Sequence, residues 1–194
     1  MPDSVNAENT QNLITFLKRL RAVRQFRPDP VPREVVNAVI EVARWSGSAS
    51  NRQPWEFIVI HNRETLHALA SVEGFVSHLA SAPLGIVLVM TGEHGRVDQE
   101  TYDEGRLSER MMLAAAAYGV GSSIGWFRGS GMTDAKAMLG IPQERLVRTA
   151  ISLGYPNEEA RRARPKPAQA RKPLSDIVHD ERYGLHQHHQ ESML

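Results

Sequence analysis

The most informative stretch of the sequence is Ser48-Ala49-Ser50-Asn51-Arg52-Gln53-Pro54-Trp55, called the elbow here because it joins a predicted helix to a predicted strand. Small and amide-bearing side chains of this kind cannot build a hydrophobic core. They supply hydroxyl and amide groups and leave nearby backbone N–H groups free to face a ligand. Pro54 ends any helix and directs the chain into the strand. The elbow therefore suits a polar, planar ligand with hydrogen-bonding groups on its rim, and a simple polar turn is the alternative.

Two arginines form a second candidate for ligand binding. Arg21 and Arg24 follow a predicted amphipathic helix over about residues 10–20. The apolar positions of that helix are Leu13, Phe16, Leu17 and Leu20. Two guanidinium groups three residues apart form a fork that fits a phosphate or a carboxylate. A solvated helix end is the alternative for an arginine pair taken alone.

Together these two segments resemble the FMN-dependent nitroreductase family, in particular its small members with the NAD(P)H:FMN oxidoreductase fold. The family typically reads Arg-Arg-Ser-x-Arg-x-Phe, then an extended linker, a helix and an elbow of the form Pro-Ser-x-x-Asn-x-Gln-Pro-Trp. Here the first motif reads Leu20-Arg21-Ala22-Val23-Arg24-Gln25-Phe26, and the linker reads Arg27-Pro28-Asp29-Pro30-Val31-Pro32. The sequence departs from the family at Leu20, Ala22 and Gly47, which replace an arginine, a serine and a proline.

The resemblance covers about residues 13–183 and implies both a fold and an activity. The implied fold is α+β, a three-layer αβα sandwich with a mixed, mostly antiparallel sheet flanked by helices. The implied assembly is a homodimer with flavin sites at the subunit interface, where the elbow and a C-terminal arm come from opposite subunits. The implied enzyme moves electrons from NADH or NADPH through FMN to a small acceptor such as a nitroaromatic or a quinone. An FMN-binding or flavin-sequestering protein with little reductase activity is the alternative.

The resemblance also assigns residues to the cofactor. The first motif contributes Arg21, Ala22, Val23 and Arg24, and the elbow contributes Ser48, Ala49, Ser50, Asn51 and Gln53. Trp126, Phe127 and Arg128 resemble a stretch that contacts FMN, with a core role as the alternative for Trp126. Arg171 matches an arginine that completes the phosphate site, with a basic linker as the alternative. No catalytic side chain is assigned, because the flavin carries the redox chemistry.

Composition narrows the remaining possibilities. The chain of 194 residues has the length of one domain, and its net charge of +1 gives no general attraction to nucleic acid or membrane surfaces. It has no cysteine, which excludes disulfides, thiol nucleophiles and thiolate metal sites. His61, His67, His78, His94 and His179 lack ligand-type spacing, so no metal site is expected among them. The closing His186-Gln187-His188-His189-Gln190 is interpreted as a polar terminal tail, with metal binding as the alternative. Neither a signal core nor an apolar run of membrane-spanning length occurs, and we expect a cytoplasmic location.

Hydrophobic patterns predict the order of helices and strands. A helix is expected after Pro32, with Val35, Val36, Val39, Ile40 and Ala43 on its apolar face. Strands are predicted at 56–60, 84–90, 122–127 and 146–153. Helices are predicted at 63–71, at 107–118 and at 133–139, the last capped by Thr133 and stopped at Gly140. Residues 91–102 are expected to form a polar loop. The helix at 107–118 is apolar on nearly every side, which predicts enclosure by the core and by a partner subunit.

The C-terminal region has a different composition. Residues 156–173 are rich in proline and arginine and contain almost no large apolar residue, so they cannot form a core of their own. Four apolar residues follow and should be buried against a neighbour: Leu174, Ile177, Val178 and Tyr183. We therefore predict a single domain over 1–194, with a polar tail at 1–9, an arm at 156–183 and a disordered, histidine-rich tail at 184–194.

Overall fold

The computed structural model of the chain describes residues 7–163 and 170–185. Residues 1–6 of the predicted N-terminal tail, the middle of the predicted arm and nearly all of the histidine-rich tail lie outside the described residues. Residues 7–9 of that predicted tail belong instead to the first helix, which begins at Ala7. The chain divides into two units, one that ends at Arg162 and one that begins at Ala163. The predicted organisation as a single domain with an arm and two tails stays a prediction.

Four antiparallel strands form the sheet of the first unit. They are β1 (Trp55–Ile60), β2 (Leu84–Met90), β3 (Gly121–Trp126) and β4 (Leu146–Gly154), and their order across the sheet is β1-β2-β4-β3. The register pairs Ile58 with Val87 and Ser123 with Ser152. All four predicted strands are confirmed to within one residue at either end. The predicted sheet is mixed and mostly antiparallel, whereas among the described residues every strand pair is antiparallel.

Four helices cover the two faces of this sheet. The helices of the described residues are α1 (Ala7–Arg19), α2 (Arg33–Arg44), α3 (Arg63–Ala70), α4 (Val97–Ala117), α5 (Ser130–Leu139) and α6 (Glu158–Ala163). One core cluster joins α2 and α4 to the sheet, and a second joins α3 and α5 to its opposite face. Strand β2 is buried along its whole length, as its continuous apolar sequence predicts for a central strand covered on both sides. The predicted α+β sandwich is confirmed. No helix within the described residues is long and apolar enough to cross a bilayer.

Helix α4 corrects the predicted loop at 91–102, because it begins at Val97, well before Leu107. The sequence pattern failed here because the buried face of its first turns carries Glu100, Asp103 and Glu104 instead of apolar residues. Apolar periodicity, the main signal for a helix, is therefore absent. At the other end, Tyr118 is exposed in the single chain, so enclosure on all sides stays a prediction for the assembled protein.

Helix α5 also begins earlier than predicted, at Ser130, and Thr133 is not its cap. The carboxylate of Glu73 accepts hydrogen bonds from the Ser130 backbone N–H at 3.0 Å and from its hydroxyl at 3.3 Å. A cap from such a distant residue leaves no local signal in the sequence. The predicted end at Gly140 is confirmed, with a left-handed φ of 66°.

The apolar faces at both ends of the chain are uncovered. Helix α1 has no buried residue, and Leu13 and Leu17 are 56% and 49% exposed. In the second unit, Leu174, Ile177 and Tyr183 are also exposed, the last by 93%. Burial of these residues against a partner subunit stays a prediction.

Small residues let two loops approach the outer strand β3. The Val23 N–H donates to the Ser122 carbonyl at 2.8 Å, and a Cβ on Gly121 would lie 2.8 Å from the Val23 side chain. At the other end of the strand, the Phe75 N–H donates to the Trp126 carbonyl at 2.7 Å. These contacts cover the free edge of the sheet, which would otherwise be open to pairing with another strand.

Close packing at this edge can be tested at Gly125. A Cβ there would lie 2.5 Å from the Phe75 carbonyl oxygen and would overlap the His78 ring, so Gly125→Ala should lower the free energy of unfolding by about 1–3 kcal/mol. Gly105→Ala on α4 is the control, because no atom lies within 4 Å of its Cβ, and it should raise stability by about 0.5–1 kcal/mol. Urea denaturation measures both changes. Equal midpoints for the two variants would contradict close packing at β3.

Candidate functional site

The elbow adopts a strained backbone. Residues Ala49–Asn51 form a short 3-10 turn, and Ser50, Asn51 and Gln53 have φ angles of 52°, 53° and 52°. L-residues rarely occupy this left-handed region, at a cost on the order of 1 kcal/mol each. Such conformations persist only where the surroundings hold them, and they cluster at ligand sites.

Hydrogen bonds within the elbow, and one to a distant residue, hold its backbone in place. The Ser48 hydroxyl accepts from the Gln53 backbone N–H at 2.9 Å, and its carbonyl accepts from the Asn51 N–H at 3.1 Å. The Ala49 N–H donates to the buried carboxylate of Asp103 at 3.2 Å. The side chains of Ser50, Asn51 and Gln53 remain exposed. The backbone is therefore fixed while the polar side chains face outward, as a ligand-binding turn requires.

A small cavity of about 180 Å³ lies beside the elbow. Its lining residues are Ala49, Arg52, Pro54, Thr91, Glu93, Arg96, Gln99, Glu100 and Asp103. Arg52 pairs with Glu93 at 3.0 Å, and Arg96 pairs with the same carboxylate at 3.0 Å. Glu100 is buried and accepts from the Gly92 N–H at 2.8 Å. Arg52, Arg96 and Glu93 thus form an ion-pair network, whereas Glu100 is held by backbone N–H groups.

The arginine motif lies along β3. Arg21 donates from Nη1 to the carbonyls of Lys18 and Leu20, both at 2.7 Å, and so satisfies the end of α1. Arg24 is exposed, and its carbonyl accepts from the Ser81 hydroxyl at 3.2 Å. Within the described residues, neither guanidinium is paired with a carboxylate. Both are available to an anion.

His78 joins the arginine motif to β3, and its role had no signal in the sequence spacing. Its ring is 6% exposed, and Nδ1 lies 2.7 Å from the Ser152 hydroxyl. Burial, reinforced by the positive charge of Arg24, lowers the pKa of His78 to about 4, while the nearby Phe75 carbonyl opposes the shift. The imidazole is therefore neutral at pH 7. The small residues of β3 are the sequence feature that could have indicated a side chain packed against this strand.

The three residues at the end of β3, Trp126 to Arg128, differ in their exposure to solvent. Trp126 is 53% exposed, so the alternative of a core tryptophan is wrong. Phe127 is buried, so its ring has no access to a ligand in this chain. Its backbone N–H donates to the Arg148 carbonyl at 2.8 Å. Arg128 is exposed, and its guanidinium lies 5.5 Å from the centroid of the exposed Phe75 ring. Trp126 and Arg128 are the members of this segment whose side chains are accessible.

One turn of α4 connects this segment to the elbow. Asp103 accepts the Ala49 N–H, and the next residue, Glu104, accepts two hydrogen bonds from the Arg148 guanidinium. The Arg148 carbonyl in turn holds the Phe127 N–H. These acidic residues were missed from the sequence because a carboxylate in a polar stretch is usually solvated.

The single chain does not bring all predicted residues together. The elbow and Trp126 lie at the same end of the sheet, since Trp55 pairs with Met90 and Trp126 pairs with Thr149 near the start of β4. Val23 pairs instead with Ser122 at the opposite end of β3, about 13 Å further along the strands, with Ala22 exposed beside it. Arg171 is exposed in the second unit.

Comparisons with known sequences agree with these features. A model of the nitroreductase family matches residues 17–75, which include both motifs. A protein from Archaeoglobus fulgidus, provisionally named an NADH dehydrogenase/NAD(P)H nitroreductase, is 31% identical over 143 residues, covering 72% of this chain and 82% of that protein. An NADH dehydrogenase from Thermus thermophilus is 28% identical over 178 residues, covering 74% and 85%.

Solved structures show the same fold. An FMN-dependent nitroreductase from Clostridium difficile superposes with a TM-score of 0.75 at 24% identity, covering 88% of this chain and 99% of that one. A protein from Desulfovibrio desulfuricans, provisionally named a nitroreductase and solved in complex with FMN, gives a TM-score of 0.71 at 20% identity, covering 93% and 99%.

The lowered pKa of His78 predicts a pH-dependent stability. Between pH 6.5 and about 4 the unfolded chain binds a proton that the folded chain does not, so stability falls as the pH drops through this range. We expect His78→Gln to reduce the loss of unfolding free energy between pH 7 and pH 4.5 by about 1–3 kcal/mol. Urea denaturation at each pH measures it, and His67→Gln controls for loss of an exposed histidine. Parallel curves for wild type and His78→Gln would show that His78 is not responsible.

Proposed function

Since this chain belongs to the nitroreductase family, we propose that it carries electrons from NADH or NADPH through bound FMN to a small acceptor such as a nitroaromatic or a quinone. Its relatives are named as NAD(P)H-dependent and FMN-dependent oxidoreductases, and the chain is an enzyme of that class. The acceptor and the preference between NADH and NADPH belong to the proposal.

The observation that carries the proposal is the strained elbow. Three non-glycine residues within four positions hold a left-handed φ, and a remote buried carboxylate supports the backbone in front of them. A solvent-exposed turn without a ligand has no need of this strain. The exposed groups of Ser50, Asn51 and Gln53 are donors and acceptors that match the carbonyls and ring nitrogens of an isoalloxazine edge.

The remaining charges fit the other end of FMN. A phosphate monoester carries about two negative charges, and each charge-assisted hydrogen bond to it contributes about 1.5–3 kcal/mol. Arg21, Arg24 and Arg171 are exposed, and none is paired with a carboxylate within the described residues. These three side chains would hold the phosphate.

In the resulting mechanism the protein side chains bind FMN and orient it. When bound, FMN supplies the two-electron chemistry that links NAD(P)H to the acceptor. The arginines would fix the phosphate, and the elbow would fix the rim of the ring system. Trp126 and Arg128, both exposed, would border the space where donor and acceptor bind in turn. No proton transfer from a protein side chain is required by this assignment.

We further propose that a second copy of the chain completes the site. Within one chain, Arg21 and the elbow are held at separate parts of the sheet. The uncovered apolar side chains of Leu13 and Leu17 on α1 supply surface that association would bury. A homodimer with the cofactor at its interface accounts for both features.

Two features favour a weaker alternative, a flavin-binding protein with little reductase activity. Arg21 already caps the carbonyls at the end of α1, and Ala22 has no hydroxyl where the family has a serine. Both features weaken the phosphate grip. They leave the fold and the elbow unchanged.

Absorbance spectroscopy separates these functions. Protein reconstituted with FMN should bleach on anaerobic addition of NADH or NADPH and recover its colour when an acceptor is added. Persistent yellow colour with both donors would favour flavin sequestration. A chain that binds no FMN would contradict the proposed function.

Arg24 should contribute strongly to FMN affinity. We expect Arg24→Ala to raise the Kd for FMN at least tenfold, because it removes a charge-assisted contact. Arg63→Ala at the start of α3 is the matched control, since that arginine is exposed on a helix next to the opposite edge strand. Fluorescence titration of FMN measures the Kd. Equal affinities for the two variants would place Arg24 outside the site.

A glycine at position 51 removes the side-chain amide of Asn51 while it keeps the backbone conformation, so it tests the two contributions separately. Glycine accepts the φ of 53° without strain, so Asn51→Gly should keep the free energy of unfolding within about 0.5 kcal/mol of the wild type. It should weaken FMN binding by about five- to tenfold, because the amide that faces the ring edge is lost. Unchanged affinity together with unchanged stability would show that the Asn51 amide does not touch the cofactor.

A further inference from the structure

We propose that Asp103, Arg106 and Arg110 on α4 form a clasp that positions the elbow for its ligand, an inference that rests on the proposed function for the identity of that ligand. The three side chains lie on one stripe of the helix, because their spacing of three and four residues returns to the same face. They are positioning residues, acting on the cofactor through the elbow.

The clasp contacts every second residue from Trp45 to Ala49, a segment that leads into the elbow. Arg110 donates from Nη1 to the Trp45 carbonyl at 3.0 Å. Arg106 covers Gly47, and Asp103 accepts the Ala49 N–H at 3.2 Å. The helix and the segment run antiparallel, so three contacts fix both its position and its direction.

Asp103 is the central member of the clasp. Its side chain is buried, with the residue 5% exposed, and an isolated buried carboxylate is strongly unfavourable. Here Oδ2 accepts the Ala49 N–H, and Oδ1 lies 3.6 Å from Nη1 of Arg106. Movement of the elbow away from α4 would leave the buried Oδ2 without a hydrogen-bond donor, which is unfavourable.

Gly47 explains how Arg106 reaches this place. A Cβ on Gly47 would overlap the Arg106 guanidinium and lie 3.2 Å from its Cζ. The absence of a side chain therefore makes room for the cation. The elbow motif described above has a proline at this position, whose ring stiffens the backbone. In this chain a charged clasp occupies that space, so the substitution and Arg106 belong to one arrangement.

The clasp matters because the strained residues begin directly after Ala49. Ser50 and Asn51 keep their left-handed φ only while the backbone before them is anchored. Loss of the anchor would let the turn relax and would move the rim donors away from the ligand, with little effect on the core of the sheet.

Hydrogen exchange in FMN-free protein tests the clasp directly. Mass spectrometry follows peptides that cover residues 46–54, and FMN titration and urea denaturation are measured beside it. The variants are Asp103→Asn, Asp103→Leu, Arg106→Ala, Gly47→Ala and the double variant G47A/R106A. Glu109→Gln is the control, an exposed carboxylate on the same helix.

We expect Asp103→Leu to speed exchange at the elbow and to raise the Kd for FMN about tenfold, because the Ala49 N–H loses its acceptor. Asp103→Asn keeps an acceptor and should give a smaller effect, which rescues the argument if Asp103→Leu fails to fold. Arg106→Ala and Gly47→Ala should weaken binding equally, and the double variant no more than either one, since both changes remove the same contact.

Unchanged exchange at 46–54 in both Asp103 variants would overturn the clasp. Additive effects of Gly47→Ala and Arg106→Ala would overturn the shared arrangement of these two residues. Faster exchange with unchanged FMN affinity would overturn the positioning role. A wild-type chain that binds no FMN would contradict the proposed function alone, because the exchange measurement would still decide whether α4 holds the elbow.

Discussion

Three buried carboxylates on α4 set the positions of the parts around the candidate site. Glu100 accepts from the turn after β2, Asp103 from the elbow and Glu104 from the Arg148 guanidinium. Removing a charge from water costs several kcal/mol, so each carboxylate is stable only while its partner stays in place. The helix therefore couples a loop, the elbow and a strand, because a shift of any one would uncover a charge.

The outer strand β3 imposes the second constraint. Its glycines admit Val23 at one end and the Phe75 carbonyl at the other, so the arginine motif and the loop before β2 are both fixed against the same strand. His78 fills the space between them and stays neutral beside Arg24. A larger side chain at Gly121 would move the segment that carries the arginines, and one at Gly125 would move the loop before β2.

The sequence predicted the elements whose burial follows local patterns. Strand β2 is an unbroken apolar run and α2 has an apolar stripe, and both match the structure closely. The first turns of α4 and the start of α5 were missed for a shared physical reason. Their stabilising contacts are hydrogen bonds to distant residues, such as Glu73 at Ser130, and these leave no periodic trace. The elbow and the arginines were found because the two segments together match the motifs of a known family, whereas each alone is also compatible with a polar turn or a solvated helix end.

At this site, the side chains that can face a ligand and the contacts that fix their backbone thus come from different parts of the chain. Ser50 and Asn51 supply the groups that can face a ligand, and those groups can be identified from the local motif. Their strained backbone depends on Asp103, 54 residues after Ala49, and on the space left by Gly47. Chains that share the elbow motif can therefore differ in how firmly they present it, because the residue that faces position 49 is set by a separate helix. The residue on that helix that accepts from the position 49 N–H, more than the motif itself, decides whether the elbow backbone is held in its ligand-binding conformation before a ligand binds.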